Sequence, residues 1–129
     1  IDALSFADEV IVLKEGQVVV KRDPIDLYQN PQNKYVTSLF GEVNELPVKL
    51  LLPSENTSQN VLIYPHEVFK DETGVFKAVV KKSYYKGGKY LVQATANKRN
   101  VFFENTTFIA EHTEVGLSVK PEIIFKRII

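Results

Sequence analysis

The stretch DEVIVLKEGQVVVKRDPIDLYQNPQNKYVTSLFG, residues 8–41, decides how the N-terminal part of the chain folds. An apolar run at residues 10–13 is followed by a polar connection that contains Gly16, and then by a β-branched run at residues 18–20. Two short apolar runs around a glycine-containing connection are typical of a β-hairpin. We therefore predict a hairpin at the start of this stretch.

Two helix-start signals follow the predicted hairpin. Asp23 can accept hydrogen bonds from unpaired backbone N–H groups, and Pro24 suits the first helical position because no N–H partner is needed there. Asn30 and Pro31 repeat the signal, and Gly41 suits the C-terminal cap of the second helix. The pattern predicts two short helices that end near Gly41.

Composition narrows the classes of function. The 16 basic and 16 acidic residues give a formal net charge of zero, so the chain has no bulk attraction for nucleic acid or membrane. The absence of cysteine excludes a disulfide framework and thiolate chemistry. No apolar run approaches the roughly 20 residues of a membrane span. Because the chain begins at Ile1 and contains no methionine, we expect it to be part of a longer protein.

The pattern changes after residue 47, where short apolar runs alternate with turn signals. Gly87 and Gly88 predict a tight hairpin turn between two of these runs. Short strands at modest spacing are typical of a small antiparallel barrel, which covers most of its sheet edges by closure. The predicted fold is mainly β, with the hairpin and short helices preceding an OB-like barrel. The runs predicted as strands are residues 48–52, 61–64, 75–82, 90–92, 101–103, 115–119 and 123–125.

Residues 1–41 resemble the C-terminal end of the nucleotide-binding domain in ATP-binding-cassette import ATPases of the maltose, iron, spermidine and sulfate type. The segments that carry the resemblance are ALSFAD at residues 3–8, DPIDLYQNP at residues 23–31 and FGEVNELP at residues 40–47. Arg22 and Asp23 depart from the Gly-Thr that usually precedes the proline in that family. The resemblance implies a switch histidine shortly before Ile1 and a phosphate-binding loop far upstream.

Residues 42–129 resemble the transport-associated OB domain, or TOBE domain, that is appended to those ATPases. The matching segments are VLIYPHEV at residues 61–68, KSYYKGG at residues 82–88 and VGLSVKPE at residues 115–122. Tyr64 stands where the family commonly has arginine, and His66 where it commonly has glutamate. The resemblance therefore implies an OB-like barrel but leaves the roles of these two side chains open.

Together the two resemblances imply the C-terminal regulatory and dimerisation region of an importer's ATP-binding subunit. The complete ATP-binding subunit would couple ATP hydrolysis to solute uptake with ATP and Mg²⁺ as cofactors. Its partners would be a second copy and the membrane-spanning permease subunits, which would hold it on the cytoplasmic side of the inner membrane. We expect no catalytic, cofactor or metal site in residues 1–129. The run at Gly87, Gly88 and Lys89 lacks the first glycine and the Ser/Thr of a phosphate-binding loop.

The basic residues are unevenly distributed. Residues 75–99 contain no acidic side chain, and their basic residues are interleaved with aromatic ones. We select Lys81, Lys82, Lys86 and Lys89 as the candidate contacts for a regulatory small anion or an acidic protein surface. An alternative is a stand-alone OB-type module that binds an anion or single-stranded nucleic acid, with nucleic acid the less favoured ligand. Another is that the lysines only solubilise a hairpin and blunt a sheet edge, while the aromatics fill the core.

The histidines, His66 and His112, lack the paired spacing of a metal site, and we predict that both lie on the surface or in turns. We also expect the chain to self-associate. The predicted hairpin at residues 10–20 would expose apolar side chains and unpaired edges when its usual packing partners are removed.

Overall fold

The structure is a computed structural model that describes residues 10–14, 17–22 and 42–129. The chain divides into two compact units, Ile1–Glu42 and Val43–Ile129. That these units are the end of an ATPase domain and a TOBE domain remains a prediction. The helices predicted within residues 23–41 and the N-terminal segment at residues 1–8 lie outside the described residues.

The first unit contains the predicted β-hairpin. Strand β1 spans Val10–Lys14 and pairs antiparallel with β2, which spans Gln17–Arg22. The register shifts between Val12 and Leu13, which marks a β-bulge in β1. The hairpin prediction is thus confirmed.

The second unit contains a two-stranded and a five-stranded antiparallel sheet. The five-stranded sheet has the spatial order β5-β9-β6-β7-β8 and curls into a half-barrel. Cα atoms of the two edge strands, β5 and β8, come within 8 Å of each other. This architecture confirms the prediction of a mainly β, OB-like fold. The strands are β3 (Asn44–Pro47), β4 (Asn60–Ile63), β5 (Val68–Lys70), β6 (Phe76–Tyr85), β7 (Tyr90–Ala96), β8 (Arg99–Asn105) and β9 (Glu114–Val119).

Alternation along the strands builds the core of this unit. On β6 the side chains of Phe76, Ala78 and Val80 are buried, while Lys77 and Val79 between them are exposed. Strand β7 repeats the alternation with every second residue buried. Because successive side chains of a strand point to opposite faces, one face of the curled sheet forms the core and the other meets solvent.

The strand predicted at residues 48–52 is wrong, because residues Val48–Leu51 form a one-turn helix, α1. Val48 and Leu51 are buried and Lys49 is exposed, which is the three-residue spacing of a helix. A short, mostly apolar run does not distinguish a strand from a buried helical turn, so the pattern alone could not decide.

The strand predicted at residues 123–125 is also wrong, because Pro121–Lys126 forms a second helix, α2. Pro121 stands in its first turn and Glu122 follows, which suits the positive N-terminal end of a helix. Ile124 is buried, whereas Phe125 is 58 % exposed. The start signal at Pro121 was present in the sequence and outweighs the short apolar run.

Two short strands, β3 and β5, were not predicted. Of these, β3 covers part of an edge of the five-stranded sheet. Asn44 on β3 is buried, and its Nδ2 donates to the Phe102 carbonyl at 2.7 Å. The Phe102 N–H donates to Asn44 Oδ1, also at 2.7 Å. The carboxamide of Asn44 therefore pairs with the outer edge of β8 as a neighbouring strand would, and it covers both polar groups of Phe102.

A tight turn between β5 and β6 packs closely on β9. The Asp71 carboxylate accepts from the Thr73 N–H and hydroxyl, each at 3.0 Å, and from the Ser118 hydroxyl at 3.1 Å. These hydrogen bonds, led by the one from the Thr73 N–H, hold the pKa of Asp71 below its ordinary value of 3.8. A Cβ at Gly116 would lie 2.3 Å from the Asp71 carbonyl oxygen, so the close approach requires glycine there.

Candidate functional site

The four candidate lysines all belong to the hairpin formed by β6 and β7. Gly87 and Gly88 form its turn with φ angles of 72° and 98°, a backbone conformation that side chains with a Cβ rarely adopt. The Lys86 N–H donates to the Lys89 carbonyl at 2.8 Å and closes the turn. The turn predicted from the Gly-Gly pair is confirmed, and it places Lys86 and Lys89 at its two sides.

The other two lysines, Lys81 and Lys82, lie at a β-bulge in β6. Val80 pairs with Ala94, but Lys82 pairs with Gln93, so Lys81 is an extra residue without a partner on β7. Lys82 then faces outward together with Gln93, because directly paired residues lie on the same face. Its ammonium group lies 5.1 Å from the centroid of the Tyr84 ring, within the range of a cation–π contact.

The structure therefore divides the four lysines into two pairs rather than one cluster. Lys81 and Lys82 lie at the bulge, and Lys86 and Lys89 flank the turn. With a rise of about 3.3 Å per strand residue, Lys82 and Lys86 are about 13 Å apart along the hairpin. Lys89 is partly neutralised, because its Nζ lies 3.0 Å from Glu104 Oε1 on β8.

An aromatic group lies beside the turn, and the sequence indicated two of its rings, Tyr85 and Tyr90, but not the third. Tyr90 contacts Tyr85 edge-to-face at 5.4 Å between ring centroids and contacts Phe108 in the same manner at 5.9 Å. Tyr85 is 67 % exposed and Phe108 is 62 % exposed. We call Tyr85, Tyr90 and Phe108 the tip surface.

Phe108 was missed because it lies in a polar segment, NTTF at residues 105–108, outside any apolar period. That segment is nevertheless fixed at two points. The Asn105 amide donates to the Thr107 carbonyl at 2.9 Å, and the Ser83 hydroxyl donates to the Ile109 carbonyl at 2.8 Å. No local sequence signal marks Phe108, because its position depends on its contact with Tyr90 from another part of the chain.

A second group of polar side chains is sealed inside the unit. Arg127 donates from both terminal nitrogens to Glu67, at 2.9 and 3.0 Å, and the two side chains are only 6 % and 9 % exposed. Glu67 also accepts from the Tyr64 N–H at 2.9 Å, and the Arg127 guanidinium lies 5.0 Å from the Tyr64 ring centroid. This bidentate, buried pair fixes the short helix at Pro65–Glu67 to the C-terminal segment.

Neither histidine belongs to a cluster suited to metal chemistry. His66 is exposed and stacks on Tyr64 with 5.8 Å between ring centroids, and His112 lies in an exposed turn beside Glu111. Within the described part of the chain, no group of three or more His, Cys, Asp or Glu residues is arranged to hold a metal ion.

The surface of the second unit also has two shallow clefts. One of about 290 Å³ lies between Pro47, Lys49 and Arg99, and one of about 250 Å³ lies beside His66, Phe69 and Lys120. The described helices include none that is long and apolar enough to cross a membrane.

The fold and the hairpin define the class of this unit as a small OB-like β domain that follows a separate N-terminal unit. No family model matches the chain. Among curated proteins, the chain is similar to the spermidine/putrescine import ATP-binding protein PotA of Clostridioides difficile (strain 630), with 25 % identity over 142 aligned residues. The similarity covers 95 % of this chain and 41 % of that relative, in its C-terminal part. The chain thus spans about two fifths of the relative's length. This finding confirms the resemblance to import ATP-binding proteins.

Proposed function

We propose that this chain is the C-terminal region of the ATP-binding subunit of a solute importer, and that its second unit, Val43–Ile129, is a regulatory and dimerisation domain of the TOBE type. The observation that carries the proposal is the similarity to PotA along 95 % of the chain, joined to the OB-like fold. The complete protein would bind ATP and Mg²⁺ through residues upstream of Ile1. It would dock on permease subunits at the cytoplasmic face of the membrane.

Two of the described carboxylates have structural roles in this unit. Both oxygens of Glu67 are held by Arg127, and both oxygens of Asp71 are held by Thr73 and Ser118. A general acid or base must be free to exchange a proton with a reacting group. These two carboxylates instead hold secondary-structure elements in place.

The proposal is tested on the complete protein reconstituted with its permease subunits in liposomes. Spermidine is the first solute to measure, because the name of the relative gives it. We expect ATP hydrolysis and uptake to depend on a phosphate-binding loop upstream of Ile1. A variant that ends at residue 41 should lose dimer stability or regulation. A complete protein without such a loop, or without measurable ATP binding, would contradict the proposal.

We propose further that Lys81, Lys82, Lys86 and Lys89 contact a regulatory anion or an acidic partner surface. The absence of acidic residues from positions 75–99 and the exposure of the hairpin support this role. Replacing Lys82 and Lys86 with glutamate should weaken regulation or subunit association, more at low salt than at high salt. Unchanged behaviour at every salt concentration would return these lysines to a solubilising role.

A stand-alone module for single-stranded nucleic acid is the second candidate function. It is favoured by one observation, the presence of exposed aromatic rings beside lysines on an OB-like sheet. Binding of an oligonucleotide by this chain, with an affinity that falls steeply as salt rises, would favour this candidate.

Self-association of this chain is also proposed. The sequence supports it through its apolar runs at residues 10–13 and 18–20, because a second copy can supply both a sheet edge and an apolar face. Light scattering across a dilution series should show a mass above that of one chain. A mass that stays at one chain up to high concentration would contradict self-association.

A further inference from the structure

The larger of the two shallow clefts, of about 290 Å³, lies between α1 and the turn that joins β7 to β8. Small-molecule sites in proteins are concave and largely apolar, and they carry a few polar groups that orient the ligand. This cleft has that composition, with apolar walls from Pro47 and Leu50 and three polar side chains beside them. The described residues that line it are Pro47, Lys49, Leu50, Asn97 and Arg99.

The backbone of the turn determines where Asn97 and Arg99 lie. Asn97 and Lys98 have φ angles of 48° and 64°, which is the left-handed pair of a two-residue hairpin turn. Arg99 pairs with Ala96 across this turn, and directly paired residues lie on the same face of a sheet. Because Ala96 is buried, Arg99 extends from the core face at the end of the hairpin, and its side chain lines the cleft.

The three polar side chains of the cleft have no partner among the described residues. Neither Lys49 nor Arg99 has a carboxylate within 4.0 Å there, and the Asn97 carboxamide has no hydrogen-bond partner there. Lys98 adds a third positive charge in the same turn, at a left-handed position where glycine would fold without strain. The cleft therefore gathers positive charge that the described part of the chain does not neutralise.

The two strands that border the cleft, β3 and β8, each carry one acidic residue, and neither residue lines it. The Glu45 Oε2 on β3 accepts from Asn60 Nδ2 on β4 at 2.9 Å. Glu104 lies about 16 Å from Arg99 along β8, at a rise of about 3.3 Å per residue, and it pairs with Lys89. These carboxylates leave the positive charge of the cleft available to a ligand.

A phosphate monoester matches the three donors of the cleft. It carries about −1.5 to −2 charges near pH 7 and presents three acceptor oxygens. Arg99 can bind two oxygens through its planar fork, Lys49 supplies a second positive charge, and Asn97 supplies an amide donor. A carboxylate has a single charge and two oxygens, so it would leave one cation unpaired. The apolar walls favour a phosphate attached to an organic body over inorganic phosphate.

We infer that this cleft binds the phosphate group of a small phosphorylated organic molecule. Arg99, Lys49 and Asn97 hold the phosphate, and Pro47 and Leu50 contact the organic body. The inference goes beyond the proposed function, because it adds a ligand site that is separate from the four lysines of the β6–β7 hairpin.

The experiment titrates the isotope-labelled chain of 129 residues with phenyl phosphate and follows the amide signals by NMR. Shifts should concentrate at residues 47–50 and 96–100. Arg99→Gln should weaken binding about tenfold or more, and Lys49→Gln about fivefold. The matched control is Lys77→Gln, which removes an exposed lysine on β6 and should leave the affinity unchanged. Unchanged amide signals outside the cleft show that each variant folds.

Two further ligands separate the charge from the apolar body. Benzyl alcohol has a similar ring without the charge, and we expect it not to bind. Inorganic phosphate has the charge without the ring, and we expect it to bind about fivefold more weakly than phenyl phosphate.

Four outcomes would overturn the inference. The first is the absence of shifts at residues 47–50 and 96–100 with millimolar phenyl phosphate, and the second is equal affinity for inorganic phosphate. The third is a set of shifts centred on residues 81–89, which would assign anion binding to the hairpin lysines. The fourth is tighter binding of oligothymidylate at the cleft, which would assign it to nucleic acid. ATP-driven uptake by the complete protein tests the importer assignment separately.

Discussion

Two regions of the second unit use charged and aromatic side chains in different ways. At the pair formed by Glu67 and Arg127, charges are buried, paired through two hydrogen bonds and covered by the Tyr64 ring. At the hairpin end, the lysines and the aromatic rings of the tip surface lie open to solvent on an anchored scaffold. The comparison teaches that composition alone does not assign a role. Similar residue types hold the fold together in one place and remain available for a partner in the other.

The largest effect on stability should come from breaking the buried ion pair. Arg127→Met would leave the Glu67 carboxylate buried without its cation, and we expect a loss of about 3–5 kcal/mol in the free energy of unfolding. Urea denaturation measures it. The double variant Glu67→Gln with Arg127→Met should recover part of the loss, since no buried charge remains. A loss below about 1 kcal/mol for the single variant would show that the pair contributes little.

Gly116→Ala should have the next largest effect. Its Cβ would lie 2.3 Å from the Asp71 carbonyl oxygen, and this backbone atom can move only if the whole turn shifts. We expect a loss of about 3 kcal/mol, the upper part of the range for overpacking. Gly87→Asn is the matched control, because no atom lies within 4 Å of its Cβ and asparagine tolerates positive φ. Equal losses of stability for the two variants would contradict the explanation that the Cβ at residue 116 clashes with the Asp71 carbonyl.

Asn44→Ala should cost about 2 kcal/mol, because it leaves the N–H and the carbonyl of Phe102 without their partner at the edge of the sheet. Amide hydrogen exchange of β8 should accelerate in the same variant. Gln93→Ala is the control, since its hydrogen bonds are long, at 3.3 and 3.4 Å, and exposed. Slow exchange at Phe102 in the Asn44 variant would contradict the edge-covering role.

Much of this fold follows from local patterns in the sequence. Val10 to Leu13, the Gly87–Gly88 turn and the alternation at Phe76, Ala78 and Val80 predict strands that the structure contains. The segments at residues 48–52 and 123–125 could not be assigned correctly, because a short apolar run satisfies both a strand and a helical turn until its packing partners are known. Phe108 and the pair of Glu67 with Arg127 depend on contacts between distant parts of the chain, which no local pattern encodes.

The smallest effect is expected at the exposed ion pair of the hairpin. Lys89 and Glu104 are 51 % and 29 % exposed, so solvent screens their attraction. A double-mutant cycle with Lys89→Ala and Glu104→Ala should give a coupling of about 0.2–1 kcal/mol that shrinks in high salt. A coupling as large as that of the buried pair would mean that the hairpin end is part of the structural core.

The most direct test of the contrast is the stability of Phe108→Ser measured beside Arg127→Met under identical conditions. If the rings of the tip surface lie outside the core, Phe108→Ser should lower the free energy of unfolding by no more than about 1 kcal/mol, the worth of one edge-to-face contact. A loss near that of Arg127→Met would mean that Phe108 belongs to the core, and it would contradict the account.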